Sequence, residues 1–268
     1  MTDGIFIPAG DGRYEPTDHA RGPWDPRALH GGAPAALIAR AFERMEPGAQ
    51  LSIARLGFEL LKPIPLAPLI VRTRIVREGR RVQELACDLL ADLGPGAGEQ
   101  LVCRASALRI QPVPGGLPTG GQIPAEAMPG PEHGKAVEYS LNRAADASLA
   151  STGMEMSWLS DPWDQGPGRV WMRLREPILP GEPPTPLMRL VATADFGNGV
   201  SAELPFDKYL FINADLTIHL WRAPAGEWIG LDARTLLVDG GIGTAESVLH
   251  DEHGPVGRAF QTLVVQPR

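Results

Sequence analysis

Cysteine, positive charge and long apolar runs are all scarce in this chain, and each scarcity narrows what it can be. Two cysteines in 268 residues are too few for a disulfide framework. Cys87 and Cys103 lie in strand-like runs on either side of the turn-like "LGPGAGEQ". They read as small core residues, with a cross-strand neighbourhood as the alternative. No apolar run approaches the ~20 residues that span a bilayer. The opening "MTDGIFIPAGDGRYEPTDHARG" has no basic patch followed by an apolar core, so a cytoplasmic protein without membrane insertion is expected. The net charge of −7 argues against nucleic acid as a partner, because phosphate binding needs a basic face. The basic run "REGRR", Arg77 to Arg81, reads as a solvated hairpin tip, or else as a contact for one anionic cofactor. Dinucleotide fingerprint, P-loop, zincin helix and serine-hydrolase elbow are all missing from the sequence, which removes the common classes built on them.

What is present is a core. Hydrophobic residues make up 43% of the chain, which supports one large domain or two of ordinary size. The first helix signal runs from Pro34 to Met45. Leu37, Ile38, Ala41, Phe42 and Met45 share one face, and Arg40, Glu43 and Arg44 the other. Pro34 suits the first turn, where its missing N–H is no loss. Strand-like runs follow: "SIARLGFELL", then "LIVRTRIVREGRRVQELACDLLADLG" and "EQLVCRASALRIQP" with turn signals between them. Residues 113–149, dense in Pro and Gly, read as a linker. Beyond it the pattern returns: "GRVWMRLREPI" as a strand, "TPLMRLVATADFGNG" as a helix, and a second antiparallel meander to the end.

The halves align with each other. "LGFELLKPIP" matches "LTIHLWRAPA", "IVRTRIVREG" matches "LDARTLLVDG", and "CRASALRIQP" matches "GRAFQTLVVQP". The offset is 160 at Lys62/Arg222, 161 at Gly79/Gly240 and 155 at Gln111/Gln266, and changes only where hairpin loops differ in length. This is a duplicated helix-plus-sheet unit. A helix apolar around most of its girth needs cover on most sides, and a curled sheet supplies it.

A loop ending in His-Gly-Gly, a long apolar helix and an antiparallel meander, repeated in tandem, resembles the double-hotdog acyl-CoA thioesterases of the TesB-like (type II) group. That resemblance covers roughly residues 15–112 and 150–268. It implies an α+β fold of two tandem hotdog units, 1–112 and 150–268. Each would be a curled antiparallel sheet around a long central helix, and the two would form a pseudo-dimer with one continuous sheet. It implies hydrolysis of acyl-CoA to acid and CoA without metal or other cofactor, in a homo-oligomer, dimer or tetramer. The group's water-activating residues fall here on Asp195 in "ATADFGNG", Asn213 in "FINADLTIHLWR" and Gln261 in "RAFQTLVVQ". Asn213 stands where the group has threonine, and His30 where it has an aromatic residue before Gly-Gly.

On their own chemistry these residues allow two readings each. Gly31 and Gly32 either turn the chain into a buried helix or let a thioester carbonyl approach the N–H groups of Gly31, Gly32 and Ala33 at the helix start. Asp195 ends an apolar helix where the dipole disfavours a carboxylate, so it is either the start of an Asx turn or the general base. As base it would have Asn213 and Gln261 hold the attacking water, whereas Gln261 could instead face solvent. His30 could polarise the substrate, bond a loop carbonyl or cap the turn. "DPRALH" also sets Asp25 and His30 at the spacing of hotdog enoyl-CoA hydratases, the alternative enzyme; the non-enzyme alternative is an acyl-CoA-binding hotdog protein. Asp215 reads as capping a strand entry, and "HDEHG" as turn chemistry rather than a metal site.

Overall fold

Alternating burial along the strands builds the molecule around one side of a sheet. The computed structural model describes residues 4–46, 51–113, 120, 127–137, 147–162 and 165–268. Most of the stretch expected to link the halves therefore lies outside the described residues. The strands of the first half are β1 (Phe6–Gly10), β2 (Arg13–Pro16), β3 (Ser52–Leu60), β4 (Leu69–Arg77), β5 (Val82–Asp92) and β6 (Glu99–Ile110). Those that follow are β7 (Lys135–Ala136), β8 (Met154–Trp158), β9 (Gly168–Leu174), β10 (Tyr209–Asn213), β11 (Asp215–Leu220), β12 (Ile229–Val238), β13 (Ile242–Asp251) and β14 (Gly254–Pro267). In β5 the buried set is Gln83, Leu85, Cys87, Leu89 and Ala91, the period of two that a sheet covered on one face requires.

All pairings are antiparallel and form one sheet in the order β1-β2-β4-β5-β6-β3-β11-β14-β13-β12-β9-β8-β7, with β10 also paired to β14. Outward from the β3–β11 seam the order reads β3, β6, β5, β4 one way and β11, β14, β13, β12 the other. At the seam Thr217 lies opposite Gly57 and Ile218 opposite Leu56. The cysteines sit in β5 and β6, buried and unbonded to each other, with Cys103 opposite Leu89 rather than Cys87. Burial pushes both thiols up to about 12.

Helix α1 (Gly32–Arg44) and helix α2 (Pro186–Ala194) pack on each other, α1 also against β4 and β5, and α2 against β9, β11, β12 and β13. Covered on both sides, α1 is buried at every residue from Gly32 to Arg40. That corrects the two-faced reading in one place. Arg40 is buried and its guanidinium grips the Glu182 carboxylate at 2.7–2.9 Å. The second-half helix is also shorter than its apolar run. It stops at Ala194, turns through Asp195 and Phe196, and resumes as the short α3 (Gly197–Val200). The "HDEHG" segment is the β13–β14 turn, where Asp251 is held by Arg222 and by the backbone N–H groups of Ala225 and His253.

Candidate active site

The start of α1 and the end of α2 lie side by side. Glycine is required at the N-cap and the first position of α1, Gly31 and Gly32, for a reason the sequence does not display. Gly31 has an ordinary helical φ of −58°, so torsional freedom is not at issue. What matters is the missing Cβ: at Gly32 it would fall 2.4 Å from the Ala192 carbonyl oxygen, and at Gly31 2.8 Å from Asp195 Oδ2. The close approach sets the Asp195 carboxylate against the positive end of α1. That interaction offsets the unfavourable dipole of its own helix, whose C-terminus it occupies.

Asp195 is 4% exposed, and a carboxylate so buried needs donors. Two donate to it, and a ring nitrogen from a third element lies within ion-pair distance. Asn213 Nδ2 donates to Oδ1 at 2.9 Å, Gln261 Nε2 lies 3.3 Å from the same oxygen and 3.1 Å from the Asp195 carbonyl, and His30 Nδ1 lies 3.0 Å from Oδ2. Asn213 reaches inward because the chain breaks its ladder between β10 and β11. Ala214 pairs with both neighbours there, and Asp215 Oδ1 accepts the Thr262 N–H at 2.6 Å, the strand-capping role expected of Asp215. The Gln261 amide is fixed at its other end, where Oε1 accepts the Asn198 N–H at 2.9 Å.

His30 is held as firmly. Its backbone N–H donates to Ala20 O at 2.9 Å, and its ring stacks on Phe196 at 4.1 Å. Nδ1 lies 3.1 Å from the Gly32 N as well as 3.0 Å from Asp195 Oδ2. One ring nitrogen cannot donate and accept at once, so these contacts exclude each other. The three amides of the helix start are not equivalent. Ala33 N–H donates to His30 O at 3.1 Å, Gly32 N–H faces His30 Nδ1, and Gly31 N–H has no acceptor among the described residues.

A cavity of about 610 Å³ opens onto this cluster, lined by His30, Gly31, Asp195 and Asn213 and by apolar side chains including Leu29, Ile64 and Ile212. Gln261, Gly32 and Ala33 are not among the lining residues. Asp25 and Lys62 lie on the wall. Asp25 is not bonded to His30. It takes the Arg27 side chain at 2.9 and 3.1 Å and its N–H at 2.8 Å. These bonds, the side-chain ones foremost, hold its carboxyl down at about 2. Two supporting residues, Phe196 and Asn198, went unnoticed in the sequence although both lie inside "ADFGNG"; an aromatic and an amide beside a buried acid were the available signal. Among the described residues no group of three His, Cys, Asp or Glu side chains is placed to hold a metal. No helix there is long and apolar enough to cross a membrane.

Fold and site together define a single antiparallel sheet wrapped on paired helices, with a carboxylate-centred cavity at one helix junction. Models of the acyl-CoA thioesterase N-terminal domain and C-terminal domain match residues 20–110 and 121–265. The chain belongs to the acyl-CoA thioesterase family, a family of thioester hydrolases. A protein assigned as a thioesterase II from Thermobifida fusca YX is 18% identical, with a TM-score of 0.73 over 99% of this chain and 98% of that one. A hotdog-fold protein from Alicyclobacillus acidocaldarius is 15% identical, with a TM-score of 0.71 over 95% and 92%. The tesB protein of Mycobacterium avium subs paratuberculosis is 15% identical, with a TM-score of 0.66 over 98% and 96%. At such identities these likenesses establish the hotdog fold. No curated protein matches the sequence.

Proposed function

We propose that this chain hydrolyses acyl-CoA to the free acid and coenzyme A, with Asp195 assisting the attack of water on the thioester carbonyl. One observation carries the reading: a buried carboxylate from the second half lies against the helix start of the first, at a shared cavity. The protein is then two hotdog units, 1–112 and 150–268, fused as a pseudo-dimer through residues 113–149. The mirrored strand order about the β3–β11 seam and the two-part family match support that division.

The chemistry suits the parts. The leaving thiol has a pKa of ~8.5 and needs little acid help. The demanding tasks are to place a water and to steady the oxygen of the tetrahedral intermediate. For the second, Gly31 offers an unpartnered N–H at a helix N-terminus, and one such donor is typically worth ~3–4 kcal/mol of barrier. Asn213 and Gln261 anchor Oδ1 of Asp195, so Asn213 supplies by its amide the donor a threonine hydroxyl would give. The apolar side chains of the cavity wall suit an acyl chain. The hydratase alternative is weakened by Asp25, which is tied to Arg27 and not to His30.

The test is thiol release from a panel of acyl-CoAs of increasing chain length, by the parent protein and by Asp195→Asn. A fall of ~10²–10⁴ in kcat with the fold intact is expected. Parental rates in the variant, or loss of crotonyl-CoA absorbance without thiol release, would overturn the reading.

A further inference from the structure

We propose that the proton of the attacking water is taken by His30 Nε2, with Asp195 acting through the ring as its positioning partner. The reaction assumed is the hydrolysis proposed above; the assignment of the base rests on the geometry of one imidazole.

The two contacts of Nδ1 decide which ring nitrogen can act. With Asp195 ionised, a lone pair on Nδ1 would lie 3.0 Å from a carboxylate oxygen, a repulsive approach in a site where both side chains are buried, although the hydrogen bond that Nδ1 accepts comes from the Gly32 N–H. A proton on Nδ1 replaces that repulsion by attraction between the ring N–H and the carboxylate at the 3.0 Å separation. The neutral ring then carries its lone pair on Nε2. Nε2 has no partner among the described residues, and it is not one of the sealed polar atoms that lack one. His30 lines the cavity, so Nε2 is the basic atom offered to a water there. Asp195 is the poorer base by position. Oδ1 is taken by Asn213 and Gln261, and Oδ2 faces His30 and the Gly31 backbone.

The same proton has a second effect. A protonated Nδ1 cannot accept from Gly32. The Gly32 N–H thus loses its acceptor beside a Gly31 N–H that has none. One tautomer therefore directs the base into the cavity, beside the Gly31 N–H that lines it at the start of α1, where the dipole favours an oxyanion.

The step balances with no further reactant. Water oxygen bonds to the carbonyl carbon as one of its protons passes to Nε2, and the C=O electron pair moves to oxygen beside the Gly31 N–H. Collapse of the intermediate re-forms C=O, breaks the C–S bond, and returns the Nε2 proton to the leaving sulfur. One water yields one acid and one thiol. The other charged groups on the cavity wall, Asp25 and Lys62, make no hydrogen bond to the ring.

Two measurements on the full chain test this. Nitrogen-15 shifts of the His30 ring in the parent protein, followed through its titration, should report a proton on Nδ1 and a bare Nε2 in the neutral ring; the opposite tautomer overturns the proposal whatever the activity. In thiol-release assays His30→Gln should lose ~10²–10⁴-fold in kcat with KM changed less than ~3-fold. Added imidazole should restore part of the rate to His30→Ala, an effect that a structural role would not produce. If His30→Gln keeps parental kcat while Asp195→Asn loses it, the carboxylate is itself the base, and the hydrolase reading survives without this one. If the parent releases no thiol from any acyl-CoA, the hydrolase reading fails and takes the base assignment with it.

Discussion

Replacing Gly32 by alanine is the most direct measure of how closely the site depends on the spacing of the two helices. The added Cβ would stand 2.4 Å from the Ala192 carbonyl oxygen. Ordinary carbon–oxygen contact is at ~3.3 Å, so the helices must part by about 0.9 Å locally, because the obstacle is backbone and cannot rotate away. Asp195 follows Ala192 by less than one turn and would move with it, stretching the 3.0 Å contact to His30 Nδ1. A misplacement of ~1 Å typically costs ~10²-fold in rate, and overpacking costs ~1–3 kcal/mol. Gly32→Ala should therefore lower kcat/KM for the preferred acyl-CoA by ~10²-fold and the melting temperature by several degrees. Gly31→Ala makes the informative contrast. Its Cβ would press on the Asp195 carboxylate, at 2.8 Å, a side chain rather than backbone, so activity should fall while the melting temperature stays closer to that of the parent. Parental kcat/KM and melting temperature in Gly32→Ala would refute the argument that close helix approach builds this site.

Two further outcomes follow from the same geometry. Asn213→Ala removes the 2.9 Å donor to Asp195 Oδ1 and leaves the longer bond from Gln261; kcat should fall by ~10-fold, the worth of about 1.4 kcal/mol, with little change in KM, and unchanged kcat would refute the anchoring role. His250 is buried with both ring nitrogens unpartnered, and burial, aided by Arg169 and opposed by Asp232 and Asp251, holds its pKa below the ordinary 6.5. The unfolded chain then binds a proton that the folded one refuses, so His250's contribution falls as pH drops below ~6.5 and levels off below the folded value. His250→Leu should flatten that limb of the melting-temperature profile, and an unaltered slope would remove His250 as its source.

Much of the architecture was legible because it rests on periodicity. Alternation in "SIARLGFELL" announced the strand β3, which depends only on side chains meeting one buried face. Asp195 was legible because a carboxylate ending an apolar helix needs a reason. Other features were not, because they arise where distant segments meet. Nothing local marks Arg40 as buried, since its partner Glu182 lies on the connection into the other helix. The run into "ADFGNG" gave no sign that α2 would stop at Ala194, because composition does not say when a turn is tied down by Gln261 from the last strand. Nothing periodic marks the hairpin β1–β2, whose strands are five and four residues long and carry proline. The approach of the second helix to Gly31 and Gly32 has no local mark either: torsions at Gly31 are helical, and the space its missing Cβ leaves is taken by Asp195, far away in the chain.

The helix pair has a far end as well. There Thr185 caps α2 and donates its hydroxyl to Glu43 of α1 at 2.7 Å, while Arg40 and Arg44 converge on Glu182. In an assembly of two identical chains about a two-fold axis, every substitution is written twice and both junctions must carry the same residues. Here one polypeptide supplies both helices, so the junctions are free to diverge. One opens on a cavity, and the other is clamped shut as a rivet between helices, an asymmetry closed to a symmetric dimer.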